Sequence, residues 1–488
     1  MAAFATTATV FVVVWSRPGP NLVPLSAVLA AGAYLSIGAF GVRYILRLVV
    51  ERSSPHRIGT ERLLVFGAGD AGYQAAKALL HDPASDLTPV AFLDDDVSKR
   101  SLRLLGLRVV GGRGQIAAAA AEYQASSLLI AIPAAPHGEL VKIADAGIDA
   151  GLAVKILPSL SKIALEGIRV KNIREIELAD FLDREETHLD LKAIGGYITG
   201  KRILVTGAGG SIGTQLCQTL MRFAPSAILA LDHAENNLHR LGLSAAGDSS
   251  ETPLHLTLGD VRDAGRMLAL FEEYRPDVVF HTAAHKHVPF LEEFPEEATK
   301  TNVFGTLNVL QAAHKAQVGT FVNISTDKAA DPISALGITK RTAELLTSYY
   351  STFADGKYLS VRFGNVLGSD GSVIPTFREQ LRQNKPLTIT HPDATRYFMT
   401  VAEAVELVIQ AGSMGTENDL FVLDMGEPVR IVDLARRLSA ALRPGMPLQI
   451  EEIGLRHGEK LHEVLFHDSD ESVEKPHDRI WRCRVEPL

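Results

Sequence analysis

Thr326-Asp327-Lys328 sets a hydroxyl, a carboxyl and an amine side by side at the end of an apolar run, Phe321-Val-Asn-Ile-Ser325. Upstream lies a glycine-rich loop, Thr206-Gly-Ala-Gly-Gly-Ser-Ile-Gly213, and Lys340 follows shortly after the three. In an open parallel sheet, ligands bind at the carboxyl ends of the strands. An acid and a base beside a nucleotide loop suggest redox-assisted elimination on a sugar nucleotide rather than cofactor binding alone. Water leaves carbons 5 and 6 of a hexose slowly, because the proton on carbon 5 is not acidic. A ketone at carbon 4 acidifies it. A base can then take that proton, an acid can protonate the departing 6-hydroxyl, and the hydride can return to carbon 6. Taken alone, an Asp-Lys pair is also what a solvated turn carries; the glycine loop and Lys340 favour chemistry.

The elements that must position these groups read as alternating strands and helices. Candidate strands lie at Leu63–Phe66, Val90–Leu93, Ser127–Ala131 and Val154–Leu157, ending near Pro158. A second series runs through Arg202–Val205, Ile228–Leu231, His255–Leu258, Val278–Thr282, Phe321–Ser325 and Leu359–Phe363. Such series form parallel sheets with helices on both faces. The predicted fold class is α/β, with two Rossmann-like doubly wound parallel-sheet domains in tandem after an N-terminal transmembrane segment. The expected division is 1–57 for membrane anchoring, 58–165 for the first Rossmann-like domain, 166–195 for a charged linker with some helix, and 196–488 for the catalytic domain. From Pro375 onward the pattern is less regular and reads as a smaller substrate-covering lobe.

Both series start on a glycine-rich turn. In the second, Gly207, Gly210 and Gly213 with Ser211 and Ile212 at a helix start suit a pyrophosphate held at a helix N-terminus. Asp232, about 20 residues on, suits the ribose 2'-hydroxyl and repels a 2'-phosphate, favouring NAD over NADP. Asp260 and Val261 end the third strand, where an adenine can dock. Ala283 and Ala284 end the fourth, where small side chains admit the nicotinamide ribose. In the first series Gly67, Gly69 and Gly72 repeat the fingerprint, with Asp94 again about 20 residues on. The alternative there is a module that keeps the turn but binds no cofactor, or another ligand.

The 488 residues suit two or three domains. The net charge of -8 gives no argument for nucleic acid. Two distant cysteines, Cys217 and Cys483, offer neither metal spacing nor a disulfide framework, which fits a reducing compartment. No metal site is expected. Leu22 to Val42 carries no charged residue, long enough for a spanning helix, and Arg43, Arg47, Arg52 and Arg57 follow it. The positive-inside bias then places the rest of the chain in the cytoplasm, at the inner (plasma) membrane, with lipid as a partner. Met1 to Trp15 is a shorter apolar stretch, either a clipped helix or the first arm of a hairpin. A cleaved signal peptide is the alternative, but a basic start and an obvious cleavage site are missing.

Together these segments resemble the extended short-chain dehydrogenase/reductase superfamily, and within it the membrane-bound, CapD-like nucleotide-sugar 4,6-dehydratases of polysaccharide biosynthesis. The resemblance rests on Val205–Gly213, Ala283–Pro289, Ser325–Ala329, Gly337–Glu344, Val361–Ser369, Thr395–Thr400 and His457–Glu463, in the family's order over about 190 to 470. It implies UDP-N-acetylglucosamine as substrate and a 4-keto-6-deoxy sugar as product. Thr326 would bond the oxygen on carbon 4, Asp327 would be the acid at the 6-hydroxyl, and Lys328 the base at carbon 5. Lys340 would hold the nicotinamide ribose. Arg456 and Glu459 resemble the family's nucleotide-end contacts. Lys286 and Arg396 suit the charge of a diphosphate, and Asn365 a phosphate or sugar oxygen; surface ion pairs and a turn amide are the alternatives. The superfamily commonly associates through helices flanking the sheet, which implies a homo-oligomer. One departure stands out. Leu336 occupies the position, four residues before Lys340, where many superfamily members have a proton-accepting tyrosine; long-branch dehydratases often have methionine. Two other readings stay open: a nucleotide-sugar epimerase, and a non-catalytic nucleotide-sugar sensor.

Overall fold

The computed structural model describes residues 61–485 apart from 83–84, 158–172, 177–179, 181–188, 246–251, 370, 417, 444–445 and 469, with four further helical positions at 30, 34, 38 and 41. The apolar segment Leu22 to Val42, those four positions aside, therefore lies outside the described residues, as does much of the expected linker. Among the described residues, no helix is long and apolar enough to cross a membrane.

The fold is α/β and Rossmann-like, built on two sheets. The first comprises β1 (Glu61–Phe66), β2 (Leu87–Leu93), β3 (Ser127–Ile130), β4 (Ala153–Ile156) and β5 (Arg174–Glu175), in the spatial order β2-β1-β3-β4-β5. All pair in parallel except β5, which runs antiparallel to β4. Helices α1 (Asp70–His81) and α2 (His137–Asp149) cross between strands. Leu63, Leu64, Val65 and Phe66 are all buried, which is why this run has no polar alternation. Arg174-Glu175 belongs to the charged stretch expected as linker; it adds an edge strand instead.

The second sheet contains β6 (Arg202–Thr206), β7 (Ala227–Asp232), β8 (Leu254–Leu258), β9 (Val278–His281), β10 (Thr320–Ile324), β11 (Lys357–Arg362), β12 (Asp419–Leu423), β13 (Glu471–His477) and β14 (Ile480–Arg484). Their order is β8-β7-β6-β9-β10-β11-β12-β14-β13. The first seven pair in parallel, and β14 and β13 close the edge antiparallel. The chain beyond Pro375 therefore does not form only a covering lobe, as expected; it returns three strands to the main sheet. Asp419–Leu423 is buried throughout and pairs Phe421 with Val361, so its place is fixed by burial on both faces. Helices α3 (Ser211–Met221), α4 (Ala335–Ser351) and α5 (Val401–Met414) flank this sheet. Tyr197 ties the helix before β6 to α5, its hydroxyl donating to the Ile409 carbonyl at 2.5 Å.

The remaining lobe carries α6 (Ile431–Leu442) and short strand pairs. Its Ile374, Phe377, Leu434 and Leu438 share one buried cluster with Leu64, Leu128, Ile143 and Ile156 of the first sheet. Arg437 of α6 bridges to Asp145 of α2 at 3.1 Å. The lobe is thus packed on the first sheet, while β12, β13 and β14 join the second.

Candidate active site

The strand order reverses at β6, which has β7 on one side and β9 on the other. A doubly wound sheet opens its ligand crevice at such a switch point. A cleft of about 180 Å³ lies there, lined by Gly207 and Gly210 after β6, Asp232 of β7, Gly259 to Val261 after β8, and Thr282 to Ala284 after β9. Gly207 has φ +65°, and a Cβ on it would fall 2.7 Å from the Ala283 nitrogen. A Cβ on Gly213 would fall 2.2 Å from the Gly207 carbonyl oxygen. Only glycine lets this turn close against α3. Gly210 caps α3 without a side-chain bond, and Ser211 and Ile212 begin its first turn, Ile212 packing on the core. The N–H groups of that turn form the positive end of the helix dipole.

The Asp232 carboxylate accepts the Gly209 N–H at 2.9 Å through one oxygen and the Ala234 N–H at 2.9 Å through the other. It thereby fixes the loop and remains at the cleft wall. Asp260 differs. Arg262 donates to it at 2.6 Å and holds its carboxyl below the usual range, with burial opposing. In the first sheet, Asp94 accepts the Ala68 N–H at 2.8 Å, as Asp232 accepts from its own loop, but Lys99 also donates to it at 2.8 Å. Burial raises the Asp94 pKa, and the bonds from Lys99, Asp96 and Ala68 outweigh it, so the net shift is downward. The two glycine turns are alike in shape and unlike in charge.

One strand beyond β9, β10 ends in the Thr326-Asp327-Lys328 turn. Ser325 and Asp327 bond through their N–H groups to Val361 and Phe363, which holds the turn to β11. The Thr326 hydroxyl donates to the Asp327 carboxylate at 3.0 Å. Asp327 is fully buried, and the same oxygen accepts from Lys328 Nζ at 2.9 Å. Its second oxygen has no hydrogen-bond partner among the described residues and faces Gly364, where a Cβ would come within 3.0 Å. Lys328 Nζ also donates to Asn365 Oδ1 at 3.2 Å and stands 3.8 Å from Glu463. The turn does not line the glycine-loop cleft; it adjoins it and faces the lobe.

Lys340 lies on α4, whose first turn is packed beneath the same turn: a Cβ on Gly337 would fall 2.4 Å from the Lys328 carbonyl. Burial lowers the Lys340 pKa to about 8, with Glu344 one turn along pulling the other way. Leu336 is buried against Val288, Leu291 and Ala298, so this position offers apolar packing and no proton acceptor. Beneath, Glu344 accepts from Ser325 at 2.6 Å and from Arg362 at 2.8 Å, while Arg362 reaches Asp470 at 2.7 Å. Burial alone would raise the Glu344 pKa; Arg362 and Arg341 outweigh it and keep the carboxylate ionised. His281 bridges Thr206 at 2.8 Å and Thr306 at 3.0 Å, and burial, aided by the Lys340 cation, lowers its pKa to about 3. It is a neutral structural link between β6, β9 and the following helix.

Not every expected residue converges here. Asn365 joins Lys328, but the Arg396 guanidinium is bonded to the carbonyls of Thr395, Lys460 and Leu461. Lys286 and Arg456 are exposed, and Glu459 accepts the Arg456 N–H at 3.3 Å. His285 is fixed through Asn302, which accepts its N–H at 2.8 Å. Among residues given no role from sequence, Arg262 and His233 line the cleft, and Glu463 meets Lys328. Glu463 lies inside the His457–Glu463 motif, so its segment was visible but its partner was not. Glu403 of α5 accepts from Arg479 at 2.7 Å in a largely buried pair.

Comparison with known proteins places this geometry. The family described as polysaccharide biosynthesis protein matches residues 203–485. The probable polysaccharide biosynthesis protein EpsC of Bacillus subtilis is 41% identical over 91% of this chain and 75% of its own length. The capsular polysaccharide biosynthesis protein CapD of Staphylococcus aureus is 36% identical over 91% of this chain and 74% of its own. A UDP-glucose 4-epimerase of Rickettsia akari is 34% identical over 55% of this chain and 79% of its own. Among solved structures, Pen from Bacillus thuringiensis aligns with a TM-score of 0.55 and 32% identity, covering 59% of this chain and 90% of that one.

Proposed function

The chain belongs to the CapD-like polysaccharide biosynthesis protein family, and from that premise we propose that it is an NAD-dependent 4,6-dehydratase of UDP-N-acetylglucosamine. The observation that carries the reading is the Asp327–Lys328 pair at the end of β10, with one carboxylate oxygen unpartnered among the described residues. An epimerase needs a transient ketone at carbon 4 but has little use for an acid and a base aimed at carbons 6 and 5. The Rickettsia relative keeps the epimerase as the second reading.

The glycine cradle, in which a Cβ at Gly207 or Gly213 would collide with backbone, and the Asp232 carboxylate at the cleft wall fit NAD. Gly207, Gly210, Ser211, Ile212 and Gly213 would hold the pyrophosphate, Asp232 the ribose hydroxyls, Asp260 and Val261 the adenine end, and Ala283, Ala284 and Lys340 the nicotinamide end. Bound there, NAD supplies a reversible hydride acceptor. Adjacent strands stand about 4.8 Å apart, so a sugar beside the end of β9 is one strand spacing from Thr326. Thr326 orients the oxygen on carbon 4. With Leu336 unable to take a proton, Asp327 accepts the one released from that oxygen and then delivers it to the departing 6-hydroxyl. Lys328 removes the proton from carbon 5 and later returns it. Lys286, Asn365, Arg396, Arg456 and Glu459 remain our assignments for the nucleotide and diphosphate. We place the enzyme at the cytoplasmic face of the inner membrane, tethered through Leu22 to Val42.

Purified protein mixed with UDP-N-acetylglucosamine and NAD tests the reading. The expected product is lighter than the substrate by one water. A mass-neutral isomer would make it an epimerase, and binding without turnover a sensor.

A further inference from the structure

Glu463 lies in the loop that follows the short strand Ile450–Glu452. Its side chain is only 3% exposed. One carboxylate oxygen stands 3.8 Å from Lys328 Nζ, and the other 3.8 Å from Lys460 Nζ. The second oxygen has no hydrogen-bond partner among the described residues. A buried carboxylate with an open lone pair costs free energy, so its retention beside a lysine calls for a use.

The charged groups around it come from three segments. Lys328 approaches from the turn after β10, with Asp327 bonded to its far side. Lys460 belongs to the Glu463 loop and pairs with Asp331 at 3.1 Å, so its charge is divided between two carboxylates. His462 is bonded to the Thr395 hydroxyl at 2.9 Å, and Arg396 to backbone carbonyls. Lys328 already donates to Asp327 and Asn365. A third N–H, present only on the ammonium, is left for Glu463.

We propose that Glu463 is a positioning residue for Lys328, steering its amine and stabilising the ammonium formed when carbon 5 loses its proton; this rests on the dehydratase reading above. When the carbon 5–hydrogen bond breaks, its electron pair stays with the sugar as the enolate of the 4-ketone. The proton forms a new N–H bond on Lys328, and Glu463 offsets the positive charge. The 6-hydroxyl leaves as water with the proton that Asp327 took from the 4-hydroxyl. Once hydride has returned to carbon 6, Lys328 gives its proton back to carbon 5 and is neutral again.

The test is the pH profile of kcat for the full chain acting on UDP-N-acetylglucosamine. Glu463→Gln keeps the shape and removes the charge. It should lower kcat by about tenfold to a hundredfold with KM little changed. It should also move the acidic limb to lower pH by about one unit, because the amine loses an anionic neighbour. Glu463→Asp should recover part of the rate. Should Glu463→Gln not fold, Lys460→Met carries the test: it frees Glu463 and removes a nearby cation, so the limb should move to higher pH. Limbs unmoved in both variants, with wild-type turnover intact, would overturn this inference alone. Wild-type protein that makes no dehydrated sugar would overturn the dehydratase reading and this inference with it.

Discussion

Lys328 and Lys340 are both basic side chains near the turn after β10, and burial sets them apart. Lys328 is part-buried and bonded to Asp327 and Asn365, whereas Lys340 is buried on α4. Lys328→Met should abolish product formation by a factor of about 100 or more while leaving NAD affinity nearly unchanged, measured by calorimetry; equal loss of both would make the lysine structural. For Lys340, the folded pKa lies near 8 against 10.5 for an ordinary lysine. Below pH 8 both folded and unfolded chains hold the proton, so the full burial cost, about 3 kcal/mol, applies. Between about 8 and 10.5 the unfolded chain binds the proton and the folded chain has shed it. The contribution of this residue to stability therefore rises with pH. Lys340→Met should remove that rise, seen as a smaller difference between denaturant midpoints of ligand-free protein at pH 7 and pH 9.5. Thr326, Asp327, Lys328 and Asp232 were legible in sequence because each lies at a strand end beside a local motif. The tie from Lys328 to Glu463 was not, since neighbours distant in the chain leave no spacing to read. The bonds from Arg396 to the carbonyls of Thr395, Lys460 and Leu461 were hidden for the same reason.

At the scale of elements, the turn after β10 is held by what lies under it. Arg362 of β11 is fully buried between Glu344 of α4 and Asp470, and also donates to the Leu465 carbonyl at 2.8 Å. These bonds fasten α4, and with it Lys340, to the segment that leads into β13. Removing one partner of a buried network strands the others. Arg362→Met should therefore cost about 3–5 kcal/mol in urea denaturation, and a loss below about 1 kcal/mol would show that the network is dispensable. The parallel strands were legible because runs such as Thr320–Ile324 are buried throughout and stand out as apolar. The return of β12 to the sheet was not, because part of the lobe and α5 intervene between β11 and its partner. The closing pair β13–β14 carries charges along its exposed edge, and that blurs its alternation.

Across the whole molecule, the lobe is the joint between the two sheets. Its contact with the first sheet combines an apolar cluster with a part-exposed ion pair, and these should not weigh equally. Arg437→Ala, which removes the partner of Asp145, should cost no more than about 1 kcal/mol, whereas Leu438→Ala should cost about 2–4 kcal/mol. Urea titrations of the two variants compare them directly, and the reverse ranking would mean that the joint is electrostatic. Sequence gave notice of two glycine-turn units but not of their packing, because residues such as Leu434 and Leu438 read as the inner face of any amphipathic helix. That the first turn carries Lys99 on its carboxylate, and the second does not, was equally beyond a fingerprint defined by glycines.

In a 4,6-dehydratase the hydride taken from carbon 4 comes to rest on carbon 6 of the same sugar, while carbon 5 gives its proton to Lys328 and receives one back. UDP-N-acetylglucosamine carrying deuterium at carbon 4, turned over in ordinary water and read by NMR, tests it most directly. Deuterium is expected on the carbon-6 methyl group of a 4-keto product. Deuterium retained at carbon 4 of an isomerised sugar would contradict it.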